Sequence, residues 1–279
     1  MGFRDLLVYV DDSSQCRARL DIARSLAVDH GARLTGLAVA ELMMVPEYVP
    51  MQAIEEQRRT ARERNERLRE TFESATAGEG ITTEWRATDS IDSGANVLDV
   101  VALHARYSDL AIVGQIDPDD VRALVPQDLP GQLALISGRP VLALPYAWRP
   151  QPVGRRVMIA WNAGRESARA VADAMPLLER AEAVRVVAFT KSGGVHGHGD
   201  VPGADIAAHL ARHGVKVESE HSVVPDIRVG EAMLSAAADY GADLLVMGAY
   251  GRARMREMIL GGTTREIMRN MTLPVLVSH

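Results

Sequence analysis

Short apolar runs alternate with amphipathic stretches along most of the chain. The runs LLVYV at 6–10 and RLTGLAVA at 33–40 read as buried strands, and the stretch QCRARLDIARSLAVDHG between them has helical periodicity. Alternation of this kind is typical of βαβ units, in which parallel strands form one sheet with helices on both faces. We therefore predict an α/β fold with an open, mostly parallel sheet.

The same pattern occurs twice. The similar segments are 6–14 and 157–167, 108–115 and 242–249, and 138–145 and 272–279. The last two pairs lie 134 positions apart and the first pair 151, so the first half carries about 17 extra residues, which we place around 45–80. The linker PYAWRPQPVGRR is rich in proline and extended in character. These repeats predict two domains, at residues 1–147 and 153–279.

The inserted region reads as a solvated helix. Its arginines and glutamates are interleaved, and Glu55/Arg59 and Glu63/Arg67 have the spacing that supports a helix surface. The interleaved acids disfavour the alternative, an RNA-binding role for these arginines.

A glycine-rich motif follows the fourth strand of the second half. Its spacing is Gly248-x2-Gly251-x9-Gly261-Gly262-Thr263-Thr264, and a helix begins at the threonines. Glycines let backbone N–H groups converge on an anion, and a helix N-terminus adds partial positive charge. Thr263 or Thr264 would cap this helix and donate a hydroxyl to a phosphate oxygen. On the glycines alone, the alternative is a tight turn followed by an ordinary helix cap.

The first half keeps the length of this motif and loses its chemistry. Gly114 corresponds to Gly248, but Asp117 stands at the position of Gly251 and Asp128 at that of Gly262. Aspartates repel a polyphosphate. We therefore expect a degenerate nucleotide site in the first half.

The repeated organisation and the motif resemble the universal stress protein family in its tandem form, whose ATP-binding members carry G-x2-G-x9-G-[ST]. The resemblance implies two tandem Rossmann-like domains of the adenine nucleotide alpha hydrolase-like type, each an open five-stranded parallel sheet with helices on both faces. It also implies that the terminal strands of the two halves pair inside the chain as a pseudo-dimer, which leaves further homodimerisation open. Gly262 stands where the family has Ser or Thr, so hydroxyl donation to phosphate is in question.

The resemblance implies ATP as the ligand of the second half, with Mg²⁺ and with ADP or AMP in its place left open. It places Asn162 near the adenine or ribose, where the family has Asp, and the backbone of Ala188 or Phe189 at the adenine. The Phe189 side chain reads as a core residue. Arg252, Arg254 and Arg256 could screen phosphate charge.

Composition narrows the functional classes and the locations that remain for this protein. The net charge of −6 disfavours nucleic-acid binding. Cys16 is the one cysteine, so no intrachain disulfide forms. No apolar run reaches the length of a membrane span, and the start of the chain does not read as a signal peptide. We therefore expect a cytoplasmic protein without membrane contact.

The other candidate constellations are weaker. His196, His198 and Asp200 in HGHGD could ligate a metal, but a glycine loop of this kind reads better as a connector, and no metal site is predicted. No arrangement of Ser, His, Asp or Glu suggests a catalytic group. The sequence thus predicts an ATP-binding regulatory or stress-response protein read by a protein partner. The alternatives are a slow ATP hydrolase or phosphotransferase, and a structural protein whose nucleotide site is lost.

Overall fold

The computed structural model describes residues 2–40, 51–78, 80–89, 96–117, 128–149, 151–190, 203–223, 229–251 and 262–279. In the first half the elements are β1 (Asp5–Tyr9), α1 (Cys16–His30), β2 (Arg33–Ala40), α2 (Met51–Thr76), β3 (Thr83–Asp89), α3 (Val97–Ala105), β4 (Leu110–Gly114), α4 (Leu129–Ser137) and β5 (Val141–Leu144). In the second half they are β6 (Arg156–Trp161), α5 (Arg165–Leu178), β7 (Ala183–Thr190), α6 (Ala204–Arg212), β8 (Val217–Val223), α7 (Val229–Tyr240), β9 (Leu244–Gly248), α8 (Thr263–Asn270) and β10 (Val275–Ser278).

The strands form one sheet in the order β3-β2-β1-β4-β5-β10-β9-β6-β7-β8. Neighbouring strands within each half are parallel, and only β5 and β10 pair antiparallel. The α/β fold and the predicted pairing of the two terminal strands are therefore confirmed. The strand order reverses between β1 and β4 and again between β6 and β9, and such switch points are where open α/β sheets bind ligands.

Apolar cores lie on both faces of the sheet. Alternate residues of one strand face opposite sides, so Leu6 and Val8 join one cluster while Leu7 and Tyr9 join the other. Because both faces are covered, the strands read as continuous apolar runs in the sequence.

Helix α2 accounts for the inserted residues of the first half. It has 26 residues, against 9 in α6 at the equivalent place of the second half. Its exposed part carries ion pairs from Arg59 to Glu56 and Glu63. Its last turns pack on β2, where a methyl group at Gly36 would lie 2.8 Å from the Phe72 ring. The predicted surface helix is therefore confirmed, and its C-terminal end is anchored in the core.

Gln115 binds the two halves together beside the β5–β10 pair. Its side chain is buried and donates to the carbonyl oxygens of Met268 at 3.0 Å and Arg269 at 2.8 Å. The same amide accepts the backbone N–H of Tyr146 at 3.1 Å. Buried polar groups are costly unless they are hydrogen-bonded, so this fully engaged amide fixes the relative position of β4, the linker and α8.

Candidate functional site

The described site residues of the second half gather at the carboxyl ends of β6, β7 and β9 and at the start of α8. Trp161, the last residue of β6, lies opposite Ala188 on β7, so Asn162 begins its loop next to the end of β7. Strand β9 runs beside β6 and ends at Gly248. The sequence-predicted residues are thus brought to one edge of the sheet, at the switch point. Arg252 and Gly261 lie outside the described residues, as do Arg254 and Arg256.

Gly248 has a packing role that the motif alone does not reveal. A methyl group there would lie 2.5 Å from the carbonyl carbon of Glu166 and 2.6 Å from the backbone nitrogen of Ser167. The missing Cβ therefore allows the N-terminus of α5 to lie directly on the end of β9.

Gly251 stands in more open surroundings. Among the described residues, a methyl group there would meet one heavy atom within 4 Å, Oε2 of Glu166 at 3.7 Å. Of these two glycines, Gly251 is therefore the less closely packed against the described part of the chain.

Thr264 holds the turn at residues 248–251, called the glycine turn below, through a hydrogen bond. Its side chain is buried, and Oγ1 accepts the backbone N–H of Tyr250 at 3.1 Å. Tyr250 has a left-handed backbone with φ of 47°, which is uncommon for a residue other than glycine. Thr263, the first residue of α8, is half-buried and is the more accessible of the two hydroxyls. The prediction that Thr263 or Thr264 caps this helix is wrong, because both lie inside the helix and Gly262 takes the N-cap position with extended backbone and no side-chain acceptor for the N–H groups of the first turn.

Asn162 organises the loop between β6 and α5. Its Oδ1 accepts the backbone N–H of Gly164 at 2.9 Å and the Ser167 hydroxyl at 2.8 Å. The amide oxygen is thus engaged within the loop, although the residue itself is exposed. Ala188 is fully buried, and Phe189 is half-buried and packs against a core cluster, as expected for a core side chain.

Sequence reasoning missed Glu166. Its side chain in the first turn of α5 is only 5 % exposed and receives the Arg165 Nε–H on Oε1 at 2.8 Å. A methyl group at Gly164 would lie 3.1 Å from its Oε2, so the carboxylate lies between the loop after β6 and the loop after β9. An acid in a first helical turn is ordinary helix chemistry, so the sequence gives no signal that this one points inward.

Glu166 is negatively charged at neutral pH. Burial raises the pKa of this carboxyl, but its own backbone N–H, the Arg165 hydrogen bond and the charges of Arg165 and His279 together hold the pKa below its usual value. A buried anion therefore lies against the glycine turn.

The switch point of the first half is filled by Arg19. This side chain is 2 % exposed, binds Asp11 Oδ1 through Nη2 at 2.7 Å and donates its Nε–H to the Tyr9 carbonyl at 2.8 Å. A methyl group at Gly114 would lie 2.1 Å from its Nη1, so the guanidinium occupies the space beside the end of β4. The pKa of Asp11 is raised by burial, but the Arg19 charge and hydrogen bonds from Ser13 and Arg19 outweigh this and lower it.

Arg64 closes the same region from helix α2. Its Nη1 donates to the carbonyl oxygen of Val39 at 3.1 Å, and its Nε pairs with Asp12. Val39 lies at the end of β2, the position that Phe189 holds in β7. A backbone acceptor at the end of the second strand is thus already engaged in the first half.

Two negative findings hold within the described ranges. No group of three or more His, Cys, Asp or Glu side chains there could hold a metal ion, and HGHGD at 196–200 lies outside those ranges. In the same parts of the chain, no helix combines the length and the apolar character needed to cross a membrane.

A duplicated open α/β sheet with this strand order defines the class of Rossmann-like α/β folds. Residues 154–279 match the universal stress protein family, so the second half of the chain is similar to that family. Two relatives show the similarity in sequence. A universal stress protein of Synechocystis sp. is 37% identical over 67 residues, which cover 24% of this chain and 22% of the relative. One of Methanocaldococcus jannaschii is 34% identical over 47 residues, which cover 17% and 29%.

The match in sequence therefore spans less than a third of either relative's length. The similarity in fold extends over the whole chain. A universal stress protein from Archaeoglobus fulgidus superposes with a TM-score of 0.70 at 16% identity, covering 98% of this chain and 95% of that chain. A structure from Pseudomonas aeruginosa gives 0.57 at 17% identity, with coverage of 99% and 93%. These full-length matches show the tandem fold and no more than the fold.

Proposed function

We propose that the second half, residues 153–279, binds an adenine nucleotide at the end of β9 and the start of α8, and that the protein acts as a regulatory or stress-response protein. In this proposal the first half, residues 1–147, carries a degenerate site. The family resemblance names ATP as the ligand, and ADP and AMP share its adenine, ribose and first phosphate. A cytoplasmic location belongs to the same proposal, because the one cysteine, Cys16, is buried and free.

One observation carries the proposal. At the switch point of the second half, the described residues leave room beside Gly251, where a methyl group would come no closer than 3.7 Å to them, and α8 begins at a glycine N-cap that supplies no side-chain acceptor. N–H groups of a first helical turn attract anions through their unpaired hydrogens and the helix dipole. Backbone near Ala188 and the Asn162 loop lie at the same edge, within the arrangement that the adenine and ribose would need.

The first half supports the proposal by contrast. Arg19 fills the space beside Gly114, and Arg64 engages the Val39 carbonyl. A nucleotide would have to displace a buried ion pair and an inserted helix to reach that edge, which is costly.

A binding role is favoured over turnover because no arrangement of Ser, His, Asp or Glu in the sequence suggests a catalytic group. In a binding role, the contact between the glycine turn and the first half would transmit the bound state. The Tyr250 hydroxyl lies 3.4 Å from Asp128 Oδ2, and Arg265 Nε lies 3.4 Å from the same oxygen. Asp128 directly precedes α4 of the first half. A ligand that rearranges the turn would therefore also change its contact with Asp128 of the first half. A protein partner that binds at this contact would distinguish the two states.

The experiment is a thermal-unfolding screen of the full chain with adenine nucleotides, together with mass spectrometry of co-purified ligand. A ligand at about a hundred times its Kd stabilises the native state by about 2.7 kcal/mol, so a clear rise in Tm is expected. Gly251→Asp, which copies Asp117 of the first half, should abolish the rise. Ser235→Asp places the same acid on an exposed position of α7 and should leave the rise unchanged. Equal responses of both variants, or no response of the unmodified chain to any adenine nucleotide, would contradict the proposal.

A further inference from the structure

The Glu166 carboxylate lies next to the place where an anion would bind at the glycine turn. Its Oε2 is the one heavy atom of the described residues that a methyl group at Gly251 would meet within 4 Å, and its side chain is 5 % exposed. The backbone that carries this carboxylate packs on the end of β9, because a methyl group at Gly248 would lie 2.5 Å from the carbonyl carbon of Glu166 and 2.6 Å from the backbone nitrogen of Ser167.

The nearest described cation is already engaged. Arg165 donates to Oε1 of Glu166 at 2.8 Å and is itself exposed, so its charge is shared between the carboxylate and solvent. Repulsion between like charges rises with the number of charges on the ligand, and a buried site screens it less than water does. The same carboxylate therefore disfavours a triphosphate more than a monophosphate.

We propose that Glu166 sets the phosphate specificity of this site, so that the second half takes a nucleoside monophosphate in preference to a triphosphate. This inference depends on the proposed nucleotide site and deepens it by assigning the class of ligand. Glu166 acts here as a specificity-determining residue, through its charge and its fixed position beside Gly251.

The experiment is calorimetric titration of the full chain with AMP, ADP and ATP as sodium salts in EDTA. For the unmodified protein the expected order of affinity is AMP, then ADP, then ATP. Glu166→Gln keeps the shape of the side chain and removes its charge, so it should raise the affinity for ATP by about tenfold and for AMP by clearly less. Glu166→Asp keeps the charge and should preserve the original order.

The matched control is Glu182→Gln, which removes one charge from an exposed ion pair with Arg155 in the same half. It should leave all three affinities unchanged, and far-ultraviolet circular dichroism should show each variant folded. ATP binding at least as tightly as AMP to the unmodified chain, or equal gains for all three nucleotides in Glu166→Gln, would overturn the specificity role while the nucleotide site itself stands. Absence of binding by all three nucleotides to both proteins would overturn the site and this inference together.

Discussion

The two switch points of this protein have the same backbone plan and opposite contents. In the first half a guanidinium, Arg19, fills the space beside Gly114 and is neutralised by Asp11. In the second half Ala170 takes the position of Arg19, and the backbone of α5 closes on Gly248. A glycine at the end of the fourth strand therefore serves packing in both halves, once against a side chain and once against a helix terminus.

This difference shows which positions of the duplicated motif serve packing and which differ between the two halves. The shared glycine keeps the helix and the strand close, whereas the next glycine of the motif, Gly251, is replaced by Asp117 in the first half and is the position on which the proposed ligand site depends. The first half has in addition gained α2, whose Arg64 reaches the carboxyl ends of β1 and β2. The first half therefore both lacks the glycine motif and has side chains, those of Arg19 and Arg64, in the corresponding space.

The largest effect is expected from Arg19→Met. Removing one partner of a buried ion pair leaves the Asp11 carboxylate uncompensated, which costs about 3–5 kcal/mol of unfolding free energy. Urea unfolding measures the loss. Arg17→Met is the control, since Arg17 is 58% exposed and its pair with Asp21 should be worth about 0–1 kcal/mol. Similar losses of unfolding free energy in the two variants would show that the Arg19 guanidinium does not fill the space beside Gly114 as described.

A pH-dependent loss of about 3 kcal/mol at neutral pH, the lower end of the same range, is expected from Asp11→Asn, because the buried Arg19 guanidinium loses its counter-charge while the asparagine oxygen still accepts its hydrogen bond. The pKa of Asp11 is lowered below its ordinary value of 3.8 in the folded state. Its stabilisation is therefore fully present above that value and is lost as pH falls through the lowered pKa. The difference between variant and unmodified protein should narrow below about pH 4 in urea unfolding.

The second half provides the matched test of this ion pair. Asn162→Asp recreates the acid of the first half where no arginine corresponds to Arg19, because Ala170 takes that position. We expect no gain in stability from this variant at neutral pH. A gain comparable to the Asp11 contribution would mean that the pair with Arg19 is not what makes the acid favourable.

Gly248→Ala should cost about 1–3 kcal/mol through overpacking. Its new methyl group would meet backbone atoms of Glu166 and Ser167, which cannot rotate away as a side-chain end can. Gly251→Ala is the control and should change stability by less than about 0.5 kcal/mol, because its nearest contact is at 3.7 Å. Chemical denaturation of the two variants compares them directly. A reversed order would show that α5 does not pack on Gly248 as described.

The sequence was sufficient for the fold because the repeated apolar runs carry it. The runs 6–10 and 33–40 are buried on both faces as β1 and β2, and the repeats predicted a duplicated fold, whereas the meeting of β5 with β10 was implied by the family resemblance. The extra residues of the first half lie in α2, which ends in Phe72 packed on Gly36. These features follow from local periodicity and from comparison of the halves, which are both legible along the chain.

The candidate site was only partly predictable. Gly248, Gly262 and Thr264 lie at the expected edge, yet Thr264 supports the Tyr250 N–H and Gly248 accommodates α5. Arg19 and Glu166 gave no pattern because their roles depend on which direction a helical side chain takes once helix and strand have packed. Contacts of that kind join residues distant in sequence, and a single chain contains no periodic signal for them.

The smallest effect is expected where the two halves touch, at Tyr250→Phe. The hydrogen bond to Asp128 is long, at 3.4 Å, so its loss should cost at most about 1 kcal/mol at neutral pH. Burial, followed by the Asp128 charge, raises the pKa of Tyr250 to about 12 from 10.0. The unfolded chain releases this proton first, so the stabilisation is present below pH 10.0 and is lost as pH rises toward about 12.

Urea unfolding of the variant and the unmodified protein across that alkaline range checks the sign, with Tyr107→Phe as the control because Tyr107 is 70% exposed. The phenylalanine variant should resist alkaline unfolding better than the unmodified chain, whereas Tyr107→Phe should not. If both variants respond alike, the phenol is not held against Asp128. The glycine turn of the second half would then lack its described contact with the first half. The switch points of the two halves would not be coupled through Tyr250 and Asp128.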